Sequence, residues 1–289
     1  MMMNFLVKII ALFIIIVAIS FLVYLLRIHT YILPNKDVYI AIERSKENTP
    51  STTLLIIGDS VGKQLFEDLN KNDTITSLAC NQAIDFVGHY ILLEEYLRNN
   101  PNIEKILMIY NPLGFMNNLN HKYTYNYFLK PFYNQGYFQY IDSHVQNQVK
   151  KLPFYQLANF PLINITFWTP DYLPPYREED KIIDTSQTTE IYLEKIVKLA
   201  EERDISFQLS SPPIKSSHKY LVEAGKKRIL EKAQEPLRPI FAKFFNSIVY
   251  LPDSAFRDRL HLKRPDYFQD RMLDRYLTKQ SSRAPISGT

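Results

Sequence analysis

The chain has one cysteine, Cys80, in 289 residues, so an internal disulfide and a thiolate-held metal site are both excluded. It also has little charge of either sign to spare: 34 basic against 30 acidic side chains leave a net +4. No Lys/Arg-rich run of the kind that follows a phosphate backbone occurs, so nucleic acid is not an expected partner. His89, His121, His144 and His218 are scattered without metal-ligand spacing; each reads as a surface or packing residue, and neither a metal nor a cofactor is expected. There is no internal repeat. What remains, 46% hydrophobic and 22% charged residues, is the composition of a folded globular chain.

The N-terminus is unlike the rest. From Ile9 to Leu26 there is no charged residue, and Phe5, Leu6 and Val7 extend the apolar character past Lys8. At about 1.5 Å per residue this run just covers a hydrocarbon core of roughly 30 Å. Residues 1–28 are therefore expected to be an uncleaved transmembrane anchor with Tyr24 and Tyr31 near an interface. A cleaved signal peptide is the competing reading, although the small residues of Ala18-Ile19-Ser20 fall inside the run rather than after it. The short N-terminal tail favours a single pass through the inner (cytoplasmic) membrane with the large domain outside the cytoplasm. Lys8 competes with Arg27 and Lys36 in setting that orientation.

Residues 29–52 read as a polar linker, with order resuming at Thr53. Apolar strands are expected over Thr53–Ile57, Thr74–Ala79 and Ile106–Tyr110, with helices after Gly58 and over Ile84–Arg98. The alternation returns with a helix over Thr188–Glu202, a strand over Ser206–Leu209 broken at Pro212-Pro213, and a helix over Lys219–Lys232. A fifth strand over Ile248–Leu251, a closing helix from Pro265 to Thr278 and a disordered tail from Ser281 complete the reading. Strands alternating with helices predict an α/β fold with a parallel sheet covered on both faces. Between the halves, Tyr110–Tyr176 holds 18 of the 39 aromatic residues in under a quarter of the length. This predicts an aromatic-rich insert over about 113–185, a lid or subdomain beside the active face. Most of its rings are expected to form its own core and a few to line the cleft.

Two short segments carry the chemistry. Leu54-Leu55-Ile56-Ile57 runs into Gly58-Asp59-Ser60, which places a serine after a buried strand at the mouth of a helix, with free backbone N–H groups to meet negative charge. The same tripeptide also serves as an ordinary turn and helix cap. Asp258-Arg259-Leu260-His261 follows the last strand and puts a carboxylate three residues before an imidazole. Serine, histidine and carboxylate together make a hydroxyl attack an acyl carbon. Asp253 is a rival carboxylate without a local reason to be the partner. Oxyanion donors are expected from the Ser60 N–H, from Asn111 in Ile109-Tyr110-Asn111-Pro112, and from the Ala83 N–H in Cys80-Asn81-Gln82-Ala83, with the Asn81 side chain as the alternative. Cys80 reads as a buried small residue.

These three motifs resemble those of the SGNH (GDSL-like) hydrolase superfamily over roughly residues 53–279. The resemblance implies a flavodoxin-like three-layer α/β/α sandwich with Ser60 as nucleophile, His261 as base and Asp258 as its partner. Two motifs depart from the family pattern: Ala83 stands where a glycine is usual, and Ile-Tyr-Asn-Pro where Gly-x-Asn-Asp is usual. With the anchor, they look like a divergent bacterial branch that adds or removes acyl groups on cell-surface glycans. The implied substrate is an O-acylated glycan or another acyl ester. A transferase would draw its acyl group from a partner membrane protein, since the chain has no multi-span segment of its own. A non-catalytic glycan-binding or scaffold protein of the same fold, and a lipase or thioesterase, are the alternatives.

Overall fold

The computed structural model describes residues 2–26, 35–66, 73–119, 123–159 and 183–269. Helix α1, Met2–Leu25, contains a stretch, Phe5–Val23, that is long and apolar enough to cross a membrane and is not buried against the domain. The linker expected over 29–52 is a correction in part. Lys36–Ser45 is helix α2, and it buries Val38, Ala41 and Ile42 in the domain core. These apolar positions recur at helical spacing among charged neighbours, which hid the stripe in a segment that reads as polar. Asn35, just before α2, is buried and donates through Nδ2 to the Asn126 carbonyl.

Strand β1 (Leu54–Gly58) leads through α3 (Ser60–Phe66), β2 (Ile75–Ser77) and α4 (Asp85–Asn99) to β3 (Lys105–Ile109). Helices α5 (Ser143–Lys150) and α6 (Gln187–Glu202) precede β4 (Ser206–Ser210). The four strands pair in parallel in the order β2-β1-β3-β4. Both faces of β1 and β3 are covered, so their residues are apolar without alternation. Leu55, Ile57, Ile106 and Met108 share a core with residues of α4 and α6. Leu54, Ile56, Leu107 and Ile109 pack with Val61 and Leu65 of α3 and with Phe256 and Leu262. Helix α6 shows why such a segment is helical. Ser186 caps its start by accepting from the Thr189 N–H (3.1 Å), Glu190 lies in the first turn, and Tyr192, Leu193, Ile196, Val197 and Ala200 form the buried stripe.

Beyond β4 the chain departs from expectation. Pro212 and Pro213 have no N–H to give a ladder, so β4 ends and Ile214–Lys215 starts a new strand, β5. Helices α7 (Lys219–Lys232) and α8 (Leu237–Asn246) follow, and then β6 (Tyr250–Leu251). The fifth strand expected over Ile248–Leu251 is therefore not part of the main sheet: it is β6, paired in parallel with β5 in a two-stranded ladder. A helix begins at 266, but its expected course to Thr278 and the tail from Ser281 lie outside the described residues.

The described part of the aromatic insert is corrected as well. Tyr125, Phe128, Phe132 and Tyr137 are buried in the core shared with α4 and α6, on the sheet face opposite α3. These rings are structural packing, because large flat side chains bury the most apolar area per residue. Phe160, Phe167, Trp168, Tyr172 and Tyr176 lie outside the described residues, as does His121.

Candidate active site

With β1 and β3 adjacent in the order β2-β1-β3-β4, the loops leaving their carboxyl ends flank a crevice where parallel α/β sheets bind ligands. Ser60 leaves β1 and Asn111 leaves β3 at this edge. Gly58 makes the turn possible. Its φ is +154°, and a Cβ on it would lie 2.0 Å from the Ile109 carbonyl oxygen, so only glycine lets β1 turn this close to β3.

The capping role that Gly-Asp-Ser also permits falls to Asp59 rather than Ser60. Asp59 is fully buried, and its Oδ1 accepts from the N–H groups of Val61 (2.9 Å) and Gly62 (3.1 Å). Its Oδ2 accepts from the Asn111 N–H (2.6 Å), which ties the Gly58–Ser60 turn to the end of β3. Burial pushes the Asp59 carboxyl above its usual value, although these three N–H donors oppose the shift. The Ser60 hydroxyl is thus released from capping. Its Oγ lies 3.1 Å from His261 Nε2. His261 Nδ1 lies 3.0 Å from Asp258 Oδ2 and 3.1 Å from Oδ1, and Asp258 Oδ1 also accepts the backbone N–H groups of Leu260 (2.9 Å) and His261 (2.8 Å). Partial burial would raise the Asp258 pKa. The N–H bonds from His261 and Leu260 and the adjacent imidazole outweigh that effect and hold the carboxyl below its ordinary value. Ser60, His261 and Asp258 are therefore brought together in a hydroxyl–imidazole–carboxylate chain. The rival Asp253 instead accepts from the Ser217 N–H (3.2 Å).

The oxyanion donors divide. The Ser60 N–H opens α3 and has no acceptor among the described residues. Asn111 is buried, and its Oδ1 accepts from the Leu113 N–H (3.0 Å), so its amide nitrogen is the uncommitted end among the described residues. Ala83 is a correction: its N–H donates to Asn81 Oδ1 (2.9 Å) and is committed to capping the short helical turn Gln82–Ile84. The same bond commits only the Asn81 oxygen, so its amide nitrogen keeps the standing that the Asn111 amide has. We expect Asn111→Ala to raise the barrier by about 3 kcal/mol, a loss of 10²–10³ in kcat with KM little changed. A loss below about tenfold in steady-state kinetics would leave Asn111 as a turn cap only.

One positioning residue carried no signal in the sequence. Gln64, on α3 one turn after Ser60, donates through Nε2 to the Leu262 carbonyl (2.8 Å) and accepts the Leu262 N–H at Oε1 (3.0 Å). These bonds span 198 positions and clamp the segment after His261 to the helix that carries Ser60. An antiparallel bridge between Phe256 and Leu262 closes the loop between them. Gln64→Leu is expected to lower kcat by about 10²-fold through a shift of order 1 Å in the imidazole, with KM nearly unchanged. Equal losses in kcat and thermal stability across a Leu, Met and Glu series at this position would make Gln64 a structural residue only.

The remaining candidates are spectators. Cys80 is fully buried, and burial pushes its thiol far up from its usual range. His89 is also fully buried, which lowers its pKa to about 3, and its ring meets Tyr110 edge-on at 5.6 Å. His144 bonds to Thr188 (3.2 Å).

Comparison with protein-family models, with curated proteins and with solved structures finds no match to this chain.

Proposed function

We propose that this protein is a serine-dependent esterase or O-acyltransferase of the SGNH type. In this reading the domain is a flavodoxin-like three-layer sandwich, held at the outer face of the cytoplasmic membrane by α1, and its substrate is an O-acylated carbohydrate. The observation that carries the reading is the contact of His261 Nε2 with Ser60 Oγ at 3.1 Å, with Asp258 on the other ring nitrogen. Ser60 Oγ attacks the acyl carbon while His261 takes its proton, and Asp258 stabilises the imidazolium that forms. Electron density moves onto the carbonyl oxygen, which faces the Ser60 N–H and the Asn111 amide. Collapse expels the sugar hydroxyl, which takes the proton from His261 and leaves an ester on Ser60. Water or a second hydroxyl, deprotonated by His261, then resolves that ester. A transferase would receive its acyl group from a partner membrane protein.

A fluorophosphonate probe tests the reading, since it loses fluoride to an activated serine and forms a stable phosphonyl ester. Peptide mass spectrometry should find one adduct, on Ser60, and p-nitrophenyl acetate should compete with it. An unlabelled Ser60 in folded protein would sink the proposal. It would favour a second reading, a carbohydrate-binding protein, to which the committed Ala83 N–H already lends some support because the oxyanion site then has one backbone donor fewer.

A further inference from the structure

The chain enters the domain at the edge of the sheet that carries Ser60. Asn35, directly before α2, donates to the Asn126 carbonyl in the helical turn Tyr125–Leu129, and that turn lies against Gln82–Ile84, which follows β2. Asp37 and Ile40 share a small cavity with Lys63 of α3 and with Ala79, just past the carboxyl end of β2. Beyond the other end of α2, the Thr49 N–H donates to Asn100 Oδ1 (2.6 Å), between α4 and β3. Helix α2 therefore runs from the carboxyl edge of the sheet towards its amino edge. Exposed apolar side chains surround its start: Ile40 is 42% exposed, Tyr123 37% and Phe154 54%. The Tyr123 ring meets that of Tyr127 at 5.7 Å, and Tyr125 donates its hydroxyl to the Pro153 carbonyl, directly before Phe154. Phe138, Tyr220, Val249 and Tyr267 are exposed as well, on other elements, and single exposed apolar residues are ordinary.

Chain length decides what this corner faces. Eight residues, 27–34, separate Leu26 from Asn35. Fully extended, they reach roughly 30 Å at most. A domain of this size is roughly 45 Å across. With α1 in the bilayer, the amino edge, on the far side from the entry point, is therefore out of the membrane's reach, and the carboxyl edge is within it. Aromatic and aliphatic side chains presented there gain by entering the headgroup region, where rings of this kind collect. We propose that the corner formed by Ile40, Tyr123 and Phe154 is a membrane-docking surface. It lies in the headgroup region of the bilayer that α1 spans and turns the Ser60 edge towards it. The ester presented to Ser60 is then one carried at the membrane surface. The docking rests on α1 as the anchor, and this last consequence rests also on the acyl-transfer reading.

The full chain in phosphatidylcholine vesicles tests the surface. Cys80 is fully buried, so single cysteines introduced as Ile40→Cys, Phe154→Cys and, at the amino edge between α4 and β3, Asn102→Cys each take one thiol-reactive fluorophore. A lipid with a nitroxide on its headgroup should quench the labels at 40 and 154 at least about threefold more strongly than the label at 102. Ile40→Gln with Tyr123→Gln should weaken the quenching at 154. Equal quenching at the two edges, or quenching at 154 that the double variant leaves unchanged, would overturn the proposal. Flotation of the chain with the vesicles at alkaline pH checks the anchor by itself, and a chain lost from the vesicles would overturn the proposal through α1. Fluorophosphonate labelling in the same vesicles separates docking from catalysis. Edge-selective quenching without an adduct on Ser60 would refute the catalytic reading and leave the docking surface standing. An adduct with equal quenching at both edges would do the reverse.

Discussion

Ser60→Ala is expected to lower kcat for p-nitrophenyl acetate by about 10⁵–10⁶-fold and to leave the thermal unfolding midpoint unchanged. The rate is lost because Ser60 Oγ is the hydroxyl that the His261 ring reaches, at 3.1 Å. Cys80 cannot substitute for it, since it is sealed in the core with its thiol held protonated by burial. The fold survives because Asp59, not Ser60, caps α3, and alanine is well tolerated in the first turn of a helix. Stopped-flow or steady-state hydrolysis by the full chain checks the rate, and calorimetry checks the fold. A loss smaller than about tenfold would place hydrolysis elsewhere on the protein.

Asp258→Asn should cost about 10⁴-fold in kcat. The Asn oxygen can still accept the backbone N–H groups of Leu260 and His261, so the loop keeps its shape. Its amide nitrogen then faces His261 Nδ1 in place of a carboxylate oxygen. That contact forces Nδ1 to accept and puts the ring proton on Nε2, which turns it towards Ser60 as a donor when a base is needed. Asp253→Asn is the control. Asp253 bonds to the Ser217 N–H on a different loop and should change kcat by less than about twofold. Comparable losses from the two substitutions would mean that the carboxylate contact at 3.0 Å does not order the imidazole.

Both predictions turn on a distinction that the tripeptide Gly58-Asp59-Ser60 does not contain. Asp and Ser are both good helix caps, and which of them caps decides whether the serine hydroxyl is occupied. The answer depends on Asn111, more than fifty residues away, whose N–H draws the Asp59 carboxylate into the turn. A local contact, by contrast, separates Ala83 from its expected role. A residue that sits where a backbone donor is wanted supplies none once the neighbouring Asn81 side chain has turned back onto it.

Features that depend on short spacings were legible in the chain. Apolar runs set β1 and β3, helical periodicity set α4, α6 and α7, and an uncharged stretch set the membrane-length helix α1. The three-residue step from Asp258 to His261 also belongs here, since one turn of backbone brings carboxylate and ring together. Tertiary structure alone decided which groups meet across the chain. It brought Ser60 to His261 over 201 positions, locked that meeting with Gln64 on Leu262, and moved β6 out of the main sheet onto β5. It also turned Tyr125, Phe128, Phe132 and Tyr137 of the insert into core. The reason is physical: backbone propensity and amphipathic spacing act within a few residues, whereas a hydrogen bond between distant segments exists only after the sheet order has set where each loop emerges.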